Sequence, residues 1–397
     1  VSSAPPRSRS WSAGSGTNRL AINQLQQQDP IDEAAVDRFL ATHEVPIVEG
    51  RHCTFLFRGE ADEVHLAQRI LGLPSRLPMR RIFTSTLWYI VLKVPEGSRV
   101  NYQLEVRRGD HVELFNDPLN PKHSHSPFGA ISVCFSDGYI TPEWTFPDVN
   151  AAPGELTDLV VESRALERDC PVTVYLPAGF RSTESYPLLV VHDGGEFMQY
   201  AAAKAVLDNL IHRREIAETI VAFLHPKDRL VEYTNSPEHA RFLNYELSPR
   251  LEAEFPLVRN RSGRGLLGAS FGAIAALSAA YRTPRRYGSL VLMSGSFVFA
   301  DAGTDHGGGH VFDPVVKFVN RYRERPRRVA DRLFVSCGLY EPLIIPNRSI
   351  VPIFEDAGMD VRYVEARDGH TWENWRDRLR DALTWVSPGP ALADRVE

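Results

Sequence analysis

From Leu188 onward the chain repeats one pattern, in which a short apolar run is followed by a stretch of helical length and then by another apolar run. The runs are LLVVHD (188–193), TIVAFL (219–224), RGLLG (264–268), SLVLMS (289–294), RLFVSC (332–337) and VRYVE (361–365), and the intervening stretches include YAAAKAVLDNLI, NYELSPRLEAEF and AIAALSAAYR. Strands that are apolar throughout need cover on both faces, and connections of this length are the crossovers that parallel neighbours require. The pattern predicts a mostly parallel sheet with helices on both faces. Ahead of it, LTDLVVES and CPVTVYLP, joined by RALERD, predict an antiparallel hairpin.

The earlier part of the chain reads differently. CTFLFRG, VHLAQRI, LWYIVLKV and VNYQLEV are short β-rich runs separated by Gly, Pro and charged turns, the spacing of a small all-β sandwich. DPIDEAAVDRFLATHEVPIVEG predicts one short helix, with Asp29 as cap, Pro30 in the first turn, and Ala35, Phe39 and Leu40 on one face. Residues 1 to about 28 are too polar to offset the entropy of ordering and are expected to form a disordered tail. At 397 residues and 43% hydrophobic, the chain has material for two domains. The organisation expected is a tail and short helix over 1–46, a β-sandwich over 47–150 and an α/β domain over 151–397.

Charge and cysteine content exclude several classes. A formal net charge of −5 offers no basic field for a nucleic acid backbone. No apolar run reaches the ~18 residues of a membrane span. Cys53, Cys134, Cys170 and Cys337 lie far apart without a CxxC spacing, which predicts buried thiols in a reducing compartment. The first twenty residues lack the apolar core of a secretory signal, so a cytoplasmic location is expected. No metal site and no cofactor is expected; the partner is a small-molecule ester.

That last expectation comes from GLLGASFGAIAAL (265–277). Here a strand candidate runs into G-x-S-x-G and then into an alanine-rich helix, the setting of a nucleophile elbow at Ser270, with Gly268 and Gly272 supplying the small flanks that a sharp turn needs. A serine hydroxyl needs a base. Of thirteen histidines, His370 follows the last strand candidate in YVEARDGHTWENWRDRL, whereas His192, His225, His239, His306 and His310 lie by earlier strands and are candidates for binding. The acid that fixes the imidazole is expected after the preceding strand, where RLFVSCGLYEPLI offers Glu341, with Asp356 and Asp360 as competitors. Oxyanion donors are expected from the Phe271 amide and from the Gly195 amide in VVHDGGEFMQY.

With these pieces in view, the chain resembles the enterochelin (ferric enterobactin) esterase family within the esterase D group of α/β-hydrolases. The likeness rests on HDGGEF (192–197), KDRLVEYTNSPEHARFLNYELSPRL (227–251), GASFGAIAALSAAYRTPRRYGSLVLMSGSF (268–297), CGLYE (337–341) and DGHTWENWRDRL (368–379), and covers nearly all of 151–397. FLFRGEADEVHL, LWYIVLKVPEGSRVNYQLEV and DPLNP (117–121) are similar to that family's N-terminal immunoglobulin-like domain. The resemblance implies an α/β-hydrolase preceded by an immunoglobulin-like β-sandwich, and hydrolysis of the ester bonds of a catecholoyl-serine trilactone through an acyl-enzyme. It implies Ser270, Glu341 and His370 as the triad, Gly195 and Phe271 as the oxyanion hole, and Arg229 in substrate binding, beside which His192 is the binding candidate from its place after a strand. An arginine suits an iron tris-catecholate, which carries three negative charges. The loop after HDGG continues EFM where the family often has a tryptophan, and ADAGTDHGGGHVF (300–312) is a polar glycine-rich insertion. A feruloyl or acetyl carbohydrate esterase and a noncatalytic binding protein are the alternatives.

Overall fold

Eight strands form the sheet that the apolar runs predict, in a computed structural model that describes residues 20–28, 31–83, 85–299 and 309–390. They are β1 (Glu155–Ser163), β2 (Arg168–Leu176), β3 (Leu188–Val191), β4 (Ile220–Leu224), β5 (Arg264–Ala269), β6 (Ser289–Met293), β7 (Arg332–Gly338) and β8 (Asp360–Ala366). Their order across the sheet is β1-β2-β4-β3-β5-β6-β7-β8. The β1–β2 hairpin is antiparallel and β2 meets β4 antiparallel, while every pairing from β4 through β8 is parallel.

Burial follows from position in the sheet. Every residue of β3, β4 and β6 is buried, while the outer strand β1 alternates over its second half, with Leu159, Val161 and Ser163 inward. Because successive side chains point to opposite faces, each inner strand feeds two cores. Leu188, Val190, Leu266, Leu290 and Leu292 pack on one side with the helix Phe271–Arg282, while Leu189, Val191, Leu267 and Val291 pack on the other with Phe197, Leu207, Trp375 and Leu379. The carboxyl ends of β3, β5, β6, β7 and β8 lie along one edge, where the connecting loops of an open parallel sheet collect functional residues.

The chain divides into two compact units. One comprises the described residues up to 68 with 74–123 and 132–139; the other comprises 69–73, 124–131 and everything from 140 on. The first holds two antiparallel sheets. One orders Ile47–Glu49, His52–Arg58, Leu87–Lys93 and Arg80–Arg81; the other orders Arg76–Pro78, Glu63–Gln68, Arg99–Arg108 and residues 132–135, with His111–Phe115 pairing to Arg99–Arg108. The DPLNP motif serves this unit's interior. Buried Asp117 accepts the Tyr102 hydroxyl at 2.7 Å, and Asn120 donates to that hydroxyl at 3.0 Å and to Val133 O at 2.9 Å.

Two local expectations need correction. The tail was expected to extend to about residue 28, yet Ala21–Gln26 is a helix whose Ile22 and Leu25 are buried with Val36, Phe39, Ile47 and Leu56. Two apolar side chains one turn apart suffice once a sheet face is there to receive them. The next helix is Glu33–Thr42, capped by Asp32, whose carboxylate accepts Ala35 N–H at 2.8 Å. Ala35, Val36 and Phe39 are its buried residues, and Leu40 is only half-buried. Residues 1–19, Asp29 and Pro30, and 300–308 of the glycine-rich insertion, including His306, lie outside the described residues.

Leu25→Ala should therefore destabilise the first unit by about 2–5 kcal/mol, the usual cost of truncating a buried leucine. Urea unfolding followed by tryptophan fluorescence checks this; an unchanged midpoint would mean that the Ala21–Gln26 helix does not contribute to that core.

Candidate active site

Strand β5 ends at Ala269 and the helix Phe271–Arg282 follows after a single residue, so Ser270 alone reverses the chain. It does so at φ 56°, ψ −119°, backbone space that a non-glycine residue enters at a cost of roughly 1–3 kcal/mol. The flanking glycines make the turn possible: a Cβ on Gly268 would lie 2.2 Å from the Gly272 carbonyl atoms, and one on Gly272 would lie 3.2 Å from His192 Cβ. Backbone bonds hold the turn, with Ser270 N–H donating to Met293 O at 2.9 Å and Ser296 N–H to Ser270 O at 3.2 Å. The Ser270 hydroxyl is 3.3 Å from Ser296 Oγ, its hydrogen-bond partner among the described residues.

Glu341 and His370 come together from the loops after β7 and β8. Tyr340 N–H donates to Asp368 O at 3.0 Å and Leu339 N–H to Ala366 O at 2.7 Å, so the two loops are stitched side by side. Gly338 permits this approach, because a Cβ there would lie 2.4 Å from Asp368 O. His370 Nδ1 is then 2.5 Å from Glu341 Oε2. The other carboxylate oxygen accepts the Ser294 hydroxyl at 2.6 Å and Gly338 N–H at 2.7 Å. Burial pushes the Glu341 carboxyl up, but the charge and hydrogen bond of His370, with the Ser294 and Gly338 donors, outweigh it and leave the acid below its ordinary value. Trp375 packs edge-on against the imidazole at 5.1 Å and donates its indole N–H to Ser294 Oγ at 3.0 Å. The competing acids sit elsewhere: Asp356 ends a helix and Asp360 opens β8, at the opposite edge of the sheet. No hydrogen bond joins Ser270 to His370.

The expected oxyanion donors both lie in first turns. Phe271 is the first residue of its helix and Gly195 the second of Gly194–Tyr200, positions for whose N–H groups a helix supplies no acceptor. The Gly195 loop is tight: Asp193 adopts φ 54°, and a Cβ on Gly194 would lie 2.4 Å from Phe223 Cβ. His225 flanks Gly195, with its Nε2 3.0 Å from the Thr173 hydroxyl.

Arg229 is tied to these turns. Its Nε donates to Asp193 Oδ1 at 2.8 Å and Nη2 to Ala269 O at 3.3 Å, and the guanidinium lies 5.6 Å from the centre of the Phe271 ring. Burial alone would lower this guanidinium; the Asp193 charge prevails and raises it. Sequence neighbours are otherwise engaged, Asp228 capping the helix Arg229–Tyr233 and Glu232 taking a two-point bond from Arg168 at 2.7 and 2.9 Å.

His192 is not where a substrate-binding residue belongs. Its side chain is wholly buried, with Nδ1 2.9 Å from Leu267 O and Nε2 3.1 Å from His239 Nε2. A carbonyl only accepts, so His192 carries its proton on Nδ1 and offers a bare Nε2; His239 must then donate from Nε2. That leaves His239 Nδ1 buried without a donor, 3.9 Å from Glu232. Burial holds His192 down to about 4 and His239 well below its ordinary value. The pair forms a neutral floor beneath the Ser270 turn. Ser294, Ser296, Trp375 and Asp193 were not identified as parts of the site from sequence, where the SGS triplet at 294–296 was the only signal for the two serines; His239, one of the histidines offered for binding, instead pairs with His192 in the interior.

Sheet order and the placement of the serine turn after β5 make this an α/β-hydrolase. Residues 163–386 match the family model Esterase, described as "Putative esterase", and the chain belongs to that family of ester hydrolases. It is 25% identical to an iron(III) enterobactin esterase of Escherichia coli O6:H1 over 290 residues, 71% of this chain and 70% of that protein. Its fold is similar to the ferric enterobactin esterase of Salmonella typhimurium, with TM-score 0.69, 19% identity, and 84% of this chain and 93% of that one covered. A ferulic acid esterase of Anaeromyces mucronatus is similar over 61% of this chain and 94% of its own, at TM-score 0.51 and 16% identity.

The buried histidines fix the sign of a pH effect. Unfolded histidine titrates near 6.5, so as pH falls below that value the unfolded chain binds protons that the folded rings refuse, and stability is lost progressively towards pH 4. For His192 the loss between pH 7 and 5 is roughly 2 kcal/mol. In urea unfolding at the two pH values, His192→Asn, which keeps a donor for Leu267 O, should lose about that much less than the wild type; equal losses would assign the protons to other groups.

Proposed function

We propose that the chain hydrolyses carboxylic esters through an acyl-enzyme on Ser270. The observation that carries this reading is the forced backbone of Ser270 at a strand-to-helix turn, on the same sheet edge as a buried carboxylate–imidazole pair. Glu341 keeps the His370 proton on Nδ1 and leaves Nε2 free as a base. Ser270 Oγ leaves Ser296, turns to His370 Nε2, gives up its proton and attacks the ester carbonyl. The Gly195 and Phe271 amides receive the negative charge on oxygen. His370 returns the proton to the departing alkoxide. Water then repeats the sequence, freeing the acid and restoring the serine.

The substrate class proposed is the ester of a catecholate siderophore. It is supported by the extended likeness to iron(III) enterobactin esterase, and by Arg229, whose side chain is one-third exposed and keeps Nη1 uncommitted beside the Phe271 ring. Arg229 thus has two tasks, holding Asp193 on the Gly195 loop and offering a guanidinium edge to a catecholate oxygen.

Ser270→Ala should remove ester hydrolysis by on the order of 10⁴-fold or more while the protein remains folded; retained turnover would take Ser270 out of the mechanism. Arg229→Ala should lower kcat/KM for p-nitrophenyl acetate, because the Gly195 loop loses its tie, and lower it about a further tenfold for an iron-loaded tricatecholate lactone, because a charged hydrogen bond to substrate is lost. Equal losses on both substrates would reduce Arg229 to a positioning residue. Efficient turnover of methyl ferulate with no cleavage of the lactone would defeat the siderophore reading and leave the Ser270 chemistry intact.

A further inference from the structure

The helix Phe271–Arg282 begins at Ser270 and ends, twelve residues and about 18 Å later at 1.5 Å per residue, beside a cleft that the ester chemistry does not use. The cleft has a volume of about 370 Å³ and is lined by Arg241, Arg282, Arg321 and Arg327 together with Tyr245 and Tyr281, among others, and by no carboxylate. Four arginines around one hollow are unexpected in a chain whose net charge is −5.

Elsewhere in this unit arginines find acids, as in Arg168 with Glu232, Arg348 with Glu365 and Arg380 with Glu215. Here they do not. Among the described residues, no ion pair is made by Arg241, Arg321 or Arg327. Arg282 bonds only neutral groups, with Nη2 2.9 Å from Asn235 Oδ1 and 3.2 Å from Asn235 O, and Nε 3.4 Å from Ser278 Oγ. Burial, and then the charges of Arg321 and Arg241, hold the Arg282 guanidinium below its ordinary value, with Glu238 acting against them. Arg327 lies over the Tyr281 ring at 4.7 Å. Stacking occupies the flat face of a guanidinium and leaves its in-plane N–H fork free for an oxyanion. Tyr245, an exposed aromatic on the rim, offers an apolar surface beside these donors.

We propose that this cleft is a binding site for a small molecule bearing multiply charged phosphate oxyanions, a phosphate ester or polyphosphate. Planar forks that match phosphate geometry, gathered around a cavity whose lining holds no carboxylate and whose volume is at the lower end of ligand sites, are the chemistry such a group satisfies. The ligand relieves the repulsion among the guanidinium groups, so its binding weakens as ionic strength rises. The site stands apart from the ester-cleaving residues, and its existence does not depend on the siderophore reading.

The test is calorimetric titration of the full chain with pyrophosphate at physiological ionic strength, with a parallel arm measuring cosedimentation with phosphatidylcholine vesicles containing phosphatidic acid. Saturable pyrophosphate binding is expected, weakened about tenfold or more by each of Arg241→Gln and Arg321→Gln, the loss expected for a charge-assisted hydrogen bond. Arg250→Gln with Arg348→Gln, which removes the same charge elsewhere, should leave binding unchanged, and thermal melting should show all variants folded. Vesicle binding without pyrophosphate binding, lost in the same cleft variants, would support the phosphate chemistry and assign its source to a lipid headgroup. No binding in either arm, or binding equally reduced by the control pair, would overturn the proposal.

Discussion

A β-carbon on Gly268 would lie 2.2 Å from the Gly272 carbonyl, so the end of β5 and the first turn of the following helix approach across space that only a glycine at 268 leaves open. Everything at the sheet's carboxyl edge depends on that approach. It lets the helix Phe271–Arg282 start one residue after the strand, so its first-turn amide points beside Ser270 rather than away from it. It forces Ser270 into an unfavourable backbone conformation, offset by the burial of the helix on nearly all sides among the leucines of β5 and β6. The strain is thus held by the hydrophobic core rather than by the serine's own bonds.

Around this turn the protein buries charge and polarity in two different ways. Glu341 is kept ionised by three hydrogen bonds, from Ser294, Gly338 and His370, so removing a single donor leaves the others in place. His192 and His239 are kept neutral because burial dominates: it outweighs the Asp193 charge at His192, and at His239 the neighbouring His192 and Arg168 act in the same direction as burial. Asp193 stands between these cases. Its Oδ1 takes the Arg229 bond and its N–H donates to the Tyr233 hydroxyl at 3.2 Å, while its Oδ2 is buried without a hydrogen-bond partner, so one arginine alone holds the carboxylate. These choices set which parts of the site are robust and which are sensitive to a single substitution.

Much of this was legible in the sequence. The strand runs gave the sheet because fully apolar β segments admit few other placements, and β3, β4 and β6 are buried throughout. The G-x-S-x-G turn was readable because its glycines have a steric cause. Glu341 and His370 could be brought near each other by counting strand ends, since parallel strands put their exits on one edge. The rest depended on three-dimensional pairing. Ser294 gives no sign in SGSF that its hydroxyl links Trp375 to Glu341. His192 looked available because it follows a strand like a site residue, yet its ring turns inward to His239, forty-seven positions on. Arg229 was read only as a substrate-binding residue, and nothing in the sequence near it points to its acid partner, Asp193, which comes from the loop after another strand. The Ala21–Gln26 helix was hidden because its composition is that of a tail and only the receiving sheet makes it worth ordering.

The order β1-β2-β4-β3-β5-β6-β7-β8 also dictates when during synthesis the site can exist. Strand β8 and the loop carrying His370 are added to the sheet after all the others, on the flank beyond β7. A chain emerging from the ribosome can therefore close the central strands and form the strained Ser270 turn while His370, the base proposed for it, has yet to be translated. Until then the Glu341 carboxylate has the Ser294 and Gly338 donors but not the imidazole. The arrival of the His370 loop joins two events in one step, since the loop that completes the partners of the buried carboxylate is the same loop that carries the base proposed for the serine. On that proposal, partially made chains are inert towards esters.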